Sequence, residues 1–111
     1  MKVGEGFFIG HYSNITINDR TVIGKNCNIA QGVNIGQTNR GKAMGAPVIG
    51  DSVWIGPNAI IVGGITIGND VMIAPGAFVN FDVPDHSLVI GNPGVIKHKE
   101  NATEGYVNKT V

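Results

Sequence analysis

Branched apolar residues recur at every sixth position along most of the chain. Ile23, Ile29 and Ile35 form one run, and Ile49, Ile55, Ile61, Ile67, Ile73 and Val79 form a second. Val3 and Ile9 carry the same spacing earlier. The next residue is usually Gly or Ala, as at Gly24, Ala30, Gly36, Gly50, Gly56, Gly68 and Ala74. The residue two places before is apolar or small: Cys27, Val33, Val53, Ala59, Ile65, Val71 and Ala77. Two inward side chains separated by one outward residue is strand alternation. The remaining positions hold turn formers, among them Lys25-Asn26, Asp51-Ser52, Pro57-Asn58 and Asn69-Asp70. Gly, Asn and Asp tolerate the positive φ that tight corners demand.

A helix is excluded, because a period of six does not align with 3.6 residues per turn. Strands of two or three residues separated by corners cannot pair with their neighbours in sequence. The chain must coil, so that each strand pairs with the one a full coil later. Three hexads per coil give a triangular prism with three parallel sheets and an axis filled by Ile and Val, a solenoid in which each coil buries its apolar face against the next. The expected fold is all-β.

The register slips twice. Two residues are gained between Ile9 and Ile23, in Gly10-His11-Tyr12-Ser13-Asn14. Between Ile35 and Ile49 the segment 37–45 lacks an inward apolar residue and is expected to be one extruded loop, where function commonly sits. The last hexad is expected to end near Val79. Residues 1–99 form the repeat domain, and residues 100–111, which turn polar, read as a mobile tail.

At 111 residues the chain fits one domain. Eight basic residues balance eight acidic ones, which removes the electrostatic footprint of a nucleic-acid binder. No apolar run approaches the ~18 residues of a membrane span. The N-terminus lacks the apolar core of a signal peptide, so a cytoplasmic location is expected. The single cysteine, Cys27, offers no internal disulfide and no zinc pattern, so no metal is expected.

The run Ile49-Gly50-Asp51-Ser52-Val53-Trp54-Ile55-Gly56-Pro57-Asn58-Ala59 resembles the hexapeptide repeat of the left-handed β-helix acyltransferases, over about residues 3 to 96. The left hand follows from this resemblance alone, since the physical rule for parallel strands favours a right-handed crossover. The stretches Ile9–Ile17 and Ile29–Thr38 are similar to the serine acetyltransferase branch. That resemblance implies an acetyl-CoA-dependent O-acetyltransferase working as a homotrimer. It puts the catalytic histidine on His11, the general base that takes the acceptor hydroxyl proton. Neutral imidazole suits that role near pH 7. For coenzyme A it implies a groove between neighbouring prisms, with Gly56, Pro57, Ala74 and Pro75 along the pantetheine arm and Gln37 and Thr38 at the loop. Lys97 and Lys99 are placed near the phosphates.

In serine acetyltransferases an Arg-His pair precedes the position of Pro47 and an Asp precedes the catalytic histidine; here Gly45-Ala46 and Gly10 stand there. Asn39-Arg40-Gly41 and Ala46-Pro47-Val48-Ile49-Gly50 look closer to exopolysaccharide O-acetyltransferases, which implies a sugar hydroxyl as acceptor and Asn39 and Arg40 as substrate-binding residues. Two alternatives remain beside the transferase of a small-molecule or sugar acceptor. One is a γ-type carbonic anhydrase, for which His11, His86 and His98 have unsuitable spacing. The other is a non-catalytic β-helix scaffold. Open edges also call for oligomerisation, with Phe7, Phe8, Trp54 and Phe78 as interface candidates.

Overall fold

The structure, a computed structural model, describes residues 1–10, 13–39, 44–107 and 110. The described chain is a left-handed parallel β-helix with three faces. The first face stacks β1 (Lys2–Val3), β4 (Val22–Ile23), β7 (Val48–Ile49) and β10 (Thr66–Ile67). The second stacks β2 (Phe8–Ile9), β5 (Asn28–Ile29), β8 (Val53–Ile55), β11 (Val71–Ile73) and β13 (Ser87–Ile90), and closes with β14 (Val95–His98). The third stacks β3 (Thr16–Ile17), β6 (Asn34–Gly36), β9 (Ile60–Val62) and β12 (Phe78–Val79). Every pairing is parallel except that of β13 with β14. Equivalent residues face one another: Ile29 pairs with Ile55 and Ile55 with Ile73 on the second face, Ile35 with Ile61 on the third.

The inward positions are those of the hexad. Ile29, Ile35, Ile49, Ile55, Ile61, Ile67 and Ile73 are all buried, and Cys27, Val33, Val53, Ala59, Val71 and Ala77 fill the second inward position. Burying one Ile side chain stabilises by about 1.5–3 kcal/mol, so the axial stack is the main source of folding energy. At the corners, Asn26, Ser52, Asn58 and Asp70 take φ values of 57°, 55°, 61° and 56°, the left-handed region the turn formers supply.

A side-chain ladder runs up the corner between the first and second faces. Asp51 Oδ1 accepts from the Lys25 amide, Asn69 Oδ1 from the Asp51 amide, and Asp85 Oδ1 from the Asn69 amide, each at 2.7 Å. Each of these side-chain oxygens occupies space that a Cβ on the glycine of the coil below would need. At Gly50 such a Cβ would meet Asn69 Oδ1 at 2.5 Å, and at Gly68 it would collide with Asp85. The small residue after the hexad Ile is thus, at this corner, a clearance for the next coil's Asx side chain.

Three expectations change. The hexads do not stop at Val79. Val83 bridges to Ile67 in parallel, and Val83 and Val89 are buried at inward positions. The spacing from Val79 to Val83 is short, which hides them from a search at period six. Phe7 packs against the core rather than standing free for an interface. The segment after residue 100 is not loose through residue 107: Ala102 and Thr103 are buried, and the segment lies across the outer side of the second face. Both amides and the Thr103 hydroxyl donate to the Asp70 carboxylate at 2.8–3.0 Å, and Asn28 Nδ2 donates to the Tyr106 carbonyl at 3.0 Å.

At the Ile35–Ile49 break, Thr38 and Gly45 form an antiparallel bridge, and residues 40–43 of the expected extruded loop lie outside the described residues. Among the described residues no helix is long and apolar enough to cross a membrane.

Candidate active site

The corner between the second and third faces carries a column of small residues. Gly10, Ala30, Gly56 and Ala74 each donate their amide to the carbonyl of the inward residue one coil above, Ile29, Ile55, Ile73 and Val89, at 2.9–3.0 Å. Pro57 and Pro75 follow on this corner, and the Pro57 carbonyl accepts from Gly76 at 2.9 Å. Gly56, Pro57, Ala74 and Pro75 are therefore brought together, on adjacent coils of one corner.

His11 itself lies outside the described residues, as does Arg40. The residues that flank His11 and Tyr12 are placed: Gly10 begins the small-residue column, and the Ser13 carbonyl accepts from Gly32 at 2.8 Å.

Gln37 and Thr38 stand on a different corner, between the third and first faces. Thr38 and Gly45 exchange backbone hydrogen bonds at 2.9 and 2.7 Å, and Gln37 Nε2 donates to Asn39 Oδ1 at 2.6 Å. Within one protomer the third face separates them from Gly56 and Ala74. Lys97 and Lys99 are exposed and belong to the closing end of the prism. Lys97, on β14, pairs with Leu88 of β13, and the Lys99 amide donates to the His86 carbonyl at 2.8 Å.

Two side chains that the repeat pattern does not mark sit beside the small-residue column. A concavity of about 290 Å³ on the outer side of the second face is lined by Phe8, Gly10, Asn28, Gln31, Trp54 and Tyr106, among others. Trp54 packs against Tyr106 of its own chain, with ring centroids 5.0 Å apart and planes tilted by 55°. Asn28 is an outward strand residue, a polar side chain beneath Trp54 that the sequence does display. Tyr106 comes from the polar terminal segment, where periodicity says nothing.

His86 and Cys27 have structural partners. His86 Nδ1 lies 2.7 Å from Asp70 Oδ2 and 3.4 Å from Glu100. The Asp70 hydrogen bond raises the imidazole above its usual 6.5; burial opposes this, and Glu100 and Asp85 add to it. Burial would raise the Asp70 carboxyl, but hydrogen bonds from His86, Thr103 and Ala102 prevail and hold it at about 2. The Cys27 thiol points to the Gly50 carbonyl at 3.1 Å, and burial pushes it up to about 11, so it is neutral at pH 7 and is no nucleophile.

Asp70 is thus the fastening point of segment 101–107, and its pH dependence has a definite sign. The raised His86 contributes fully below pH 6.5 and is lost as pH rises through its folded value. The lowered Asp70 contributes above its ordinary 3.8 and is lost as pH falls toward 2. The fastening is therefore tightest between about pH 4 and 6.5. Hydrogen exchange of the Ala102 and Thr103 amides should quicken on alkalinisation beyond the intrinsic base-catalysed rate. His86→Ala should remove that excess, and an unchanged excess in the variant would disprove the latch.

Residues 46–80 match the family described as "Bacterial transferase hexapeptide (six repeats)". The chain is 40% identical over 92 residues to a serine acetyltransferase of Bacillus pumilus, covering 83% of this chain and 42% of that protein. It superimposes on the crystal structure of Neisseria gonorrhoeae serine acetyltransferase with a TM-score of 0.82 at 34% identity, over 88% of this chain and 38% of that one. A serine acetyltransferase in complex with CoA matches with a TM-score of 0.78 at 31% identity, over 86% and 39%. The chain spans about two fifths of the length of these relatives. It is a hexapeptide-repeat protein, serine acetyltransferase-like in sequence and in fold.

Proposed function

We propose that the chain transfers acetyl from acetyl-CoA to a hydroxyl of a small molecule or sugar, as a homotrimer. The observation that carries this reading is the small-residue column Gly10, Ala30, Gly56, Ala74, which begins at the residue before His11, in a chain similar to a serine acetyltransferase solved with CoA. A surface free of large side chains suits the thin pantetheine arm. Gln37 and Thr38, on another corner, would meet that arm from an adjacent protomer, and exposed Lys97 and Lys99 would serve its phosphates.

His11 takes the proton from the acceptor hydroxyl as its oxygen attacks the thioester carbonyl. The tetrahedral intermediate collapses, the C–S bond breaks, and the thiolate leaves. The proton held by His11 returns to sulfur, giving the ester and free CoA. Asn39 and Arg40, on the loop of an adjacent protomer, would help to hold the acceptor. Gly45 and Ala46 carry no charge to pair with an amino-acid carboxylate, which favours a sugar hydroxyl.

The test is release of free thiol from acetyl-CoA with serine and with a panel of sugars. Acceptor-dependent release is expected. A folded protein that neither binds CoA nor releases thiol with any acceptor would reject the transferase and favour a scaffold.

A further inference from the structure

We propose that the concavity walled by Trp54 and Tyr106 is the acceptor subsite, and that it takes a neutral sugar ring. This rests on the transferase reading and deepens it by naming the ligand class and the residues that select it.

The tilted pair of rings offers apolar surface to the cavity, and Gln31 and Asn28 also line it. Among the described residues the lining carries no charged side chain. This combination matches a pyranose, which has a face of C–H groups and a rim of hydroxyls. It suits an amino acid less well, because no described lining residue offers a counter-charge to its carboxylate or ammonium.

Asn28 gives the second observation. Its side chain is 7% exposed, and its Oδ1 is shut from solvent without a partner among the described residues. The Tyr106 carbonyl can only accept, so the Asn28 nitrogen must face it, which leaves Oδ1 as the unpaired atom. Buried polar atoms normally have partners, and an orphan calls for a ligand or a water. A ring hydroxyl that entered beneath the covering Tyr106 segment and donated to Oδ1 would satisfy it. Gly10 lines the same cavity, so a bound ring lies beside the position from which the chain runs into His11.

Trp54 is the chain's single tryptophan and sits in the wall, so its fluorescence reads occupancy without any catalytic turnover. The probes are methyl hexopyranosides and L-serine, titrated into the intact chain. A saturable change in Trp54 emission is expected with a glycoside and not with serine. Tyr106→Ala should weaken glycoside binding by at least tenfold, while Tyr106→Phe keeps the ring and binds nearly normally. The Tyr106 ring is a wall rather than part of the core, and the Asn28 hydrogen bond goes to its backbone, so folding should survive both changes. CoA binding, followed by calorimetry, should be the same in both variants. Serine binding in place of glycosides, no binding of either, or glycoside binding that ignores Tyr106→Ala would each overturn the subsite. If glycosides bind through Tyr106 but acetyl-CoA releases no thiol, the transferase reading fails and the subsite stands.

Discussion

Ile67→Asp is expected to leave no soluble folded protein. Ile67 is fully buried at the axis, paired with Ile49 below it on the first face and bridged to Val83 above. The surrounding core cluster is apolar throughout, from Ile49 and Val53 to Ile73 and Val89. A carboxylate there would lose its water with no donor to replace it, or would remain protonated at a large cost. The stability of a domain of this size is about 5–15 kcal/mol, which one such charge can consume. Ile67→Val is the matched control and should cost only about 0.5–1.5 kcal/mol. Soluble yield and thermal unfolding read both variants. Near-native melting of Ile67→Asp would mean that the inward register is wrong.

His11→Ala should lower acetyl transfer by about 10²- to 10⁴-fold, the share usually contributed by a positioned general base. CoA affinity should barely move, since the proposed cofactor surface is backbone and small side chains at Gly56, Pro57, Ala74 and Pro75. In the unsubstituted protein the rate should fall toward acid pH, where imidazolium cannot accept a proton. Retention of full turnover by His11→Ala would remove it from the mechanism.

The prism was legible because its axis repeats one physical demand. Every sixth residue must be branched and apolar, and the residues between must turn a corner, so Ile23 through Val79 announce themselves. Val83 and Val89 obey the same demand, but the shortened step from Val79 puts them out of phase with the count. The placement of the tail could not be read in this way. Its attachment depends on Asp70, a corner residue whose carboxylate happens to meet two amides and a hydroxyl from residues 102 and 103, and such a contact leaves no period.

For the site, the corner count helps only in part. Three hexads per coil put Gly56 and Ala74 on one corner, whereas Gly10 and Ala30 join them only once the two register breaks are placed in the structure. The same count puts Gln37 and Thr38 on another, which becomes a single groove only if two protomers face each other. Asn28 was visible as a polar residue in an outward strand position, yet nothing in the sequence says that Tyr106 will cover it.

The closing of the upper end has a consequence for how copies of the chain can meet. Solenoids with two bare ends can stack into filaments, each copy extending the sheets of the last. Here each face is sealed above: Val83 sits on β10, Gly91 and Gly94 hydrogen-bond to Phe78 of β12, and the antiparallel β14 finishes the second face. The parallel stack ends at β13, because β14 runs against it, so the second face presents an antiparallel edge at its top. The molecule is directional: a further coil laid on its top would need a parallel partner on every face, and the second face does not supply one.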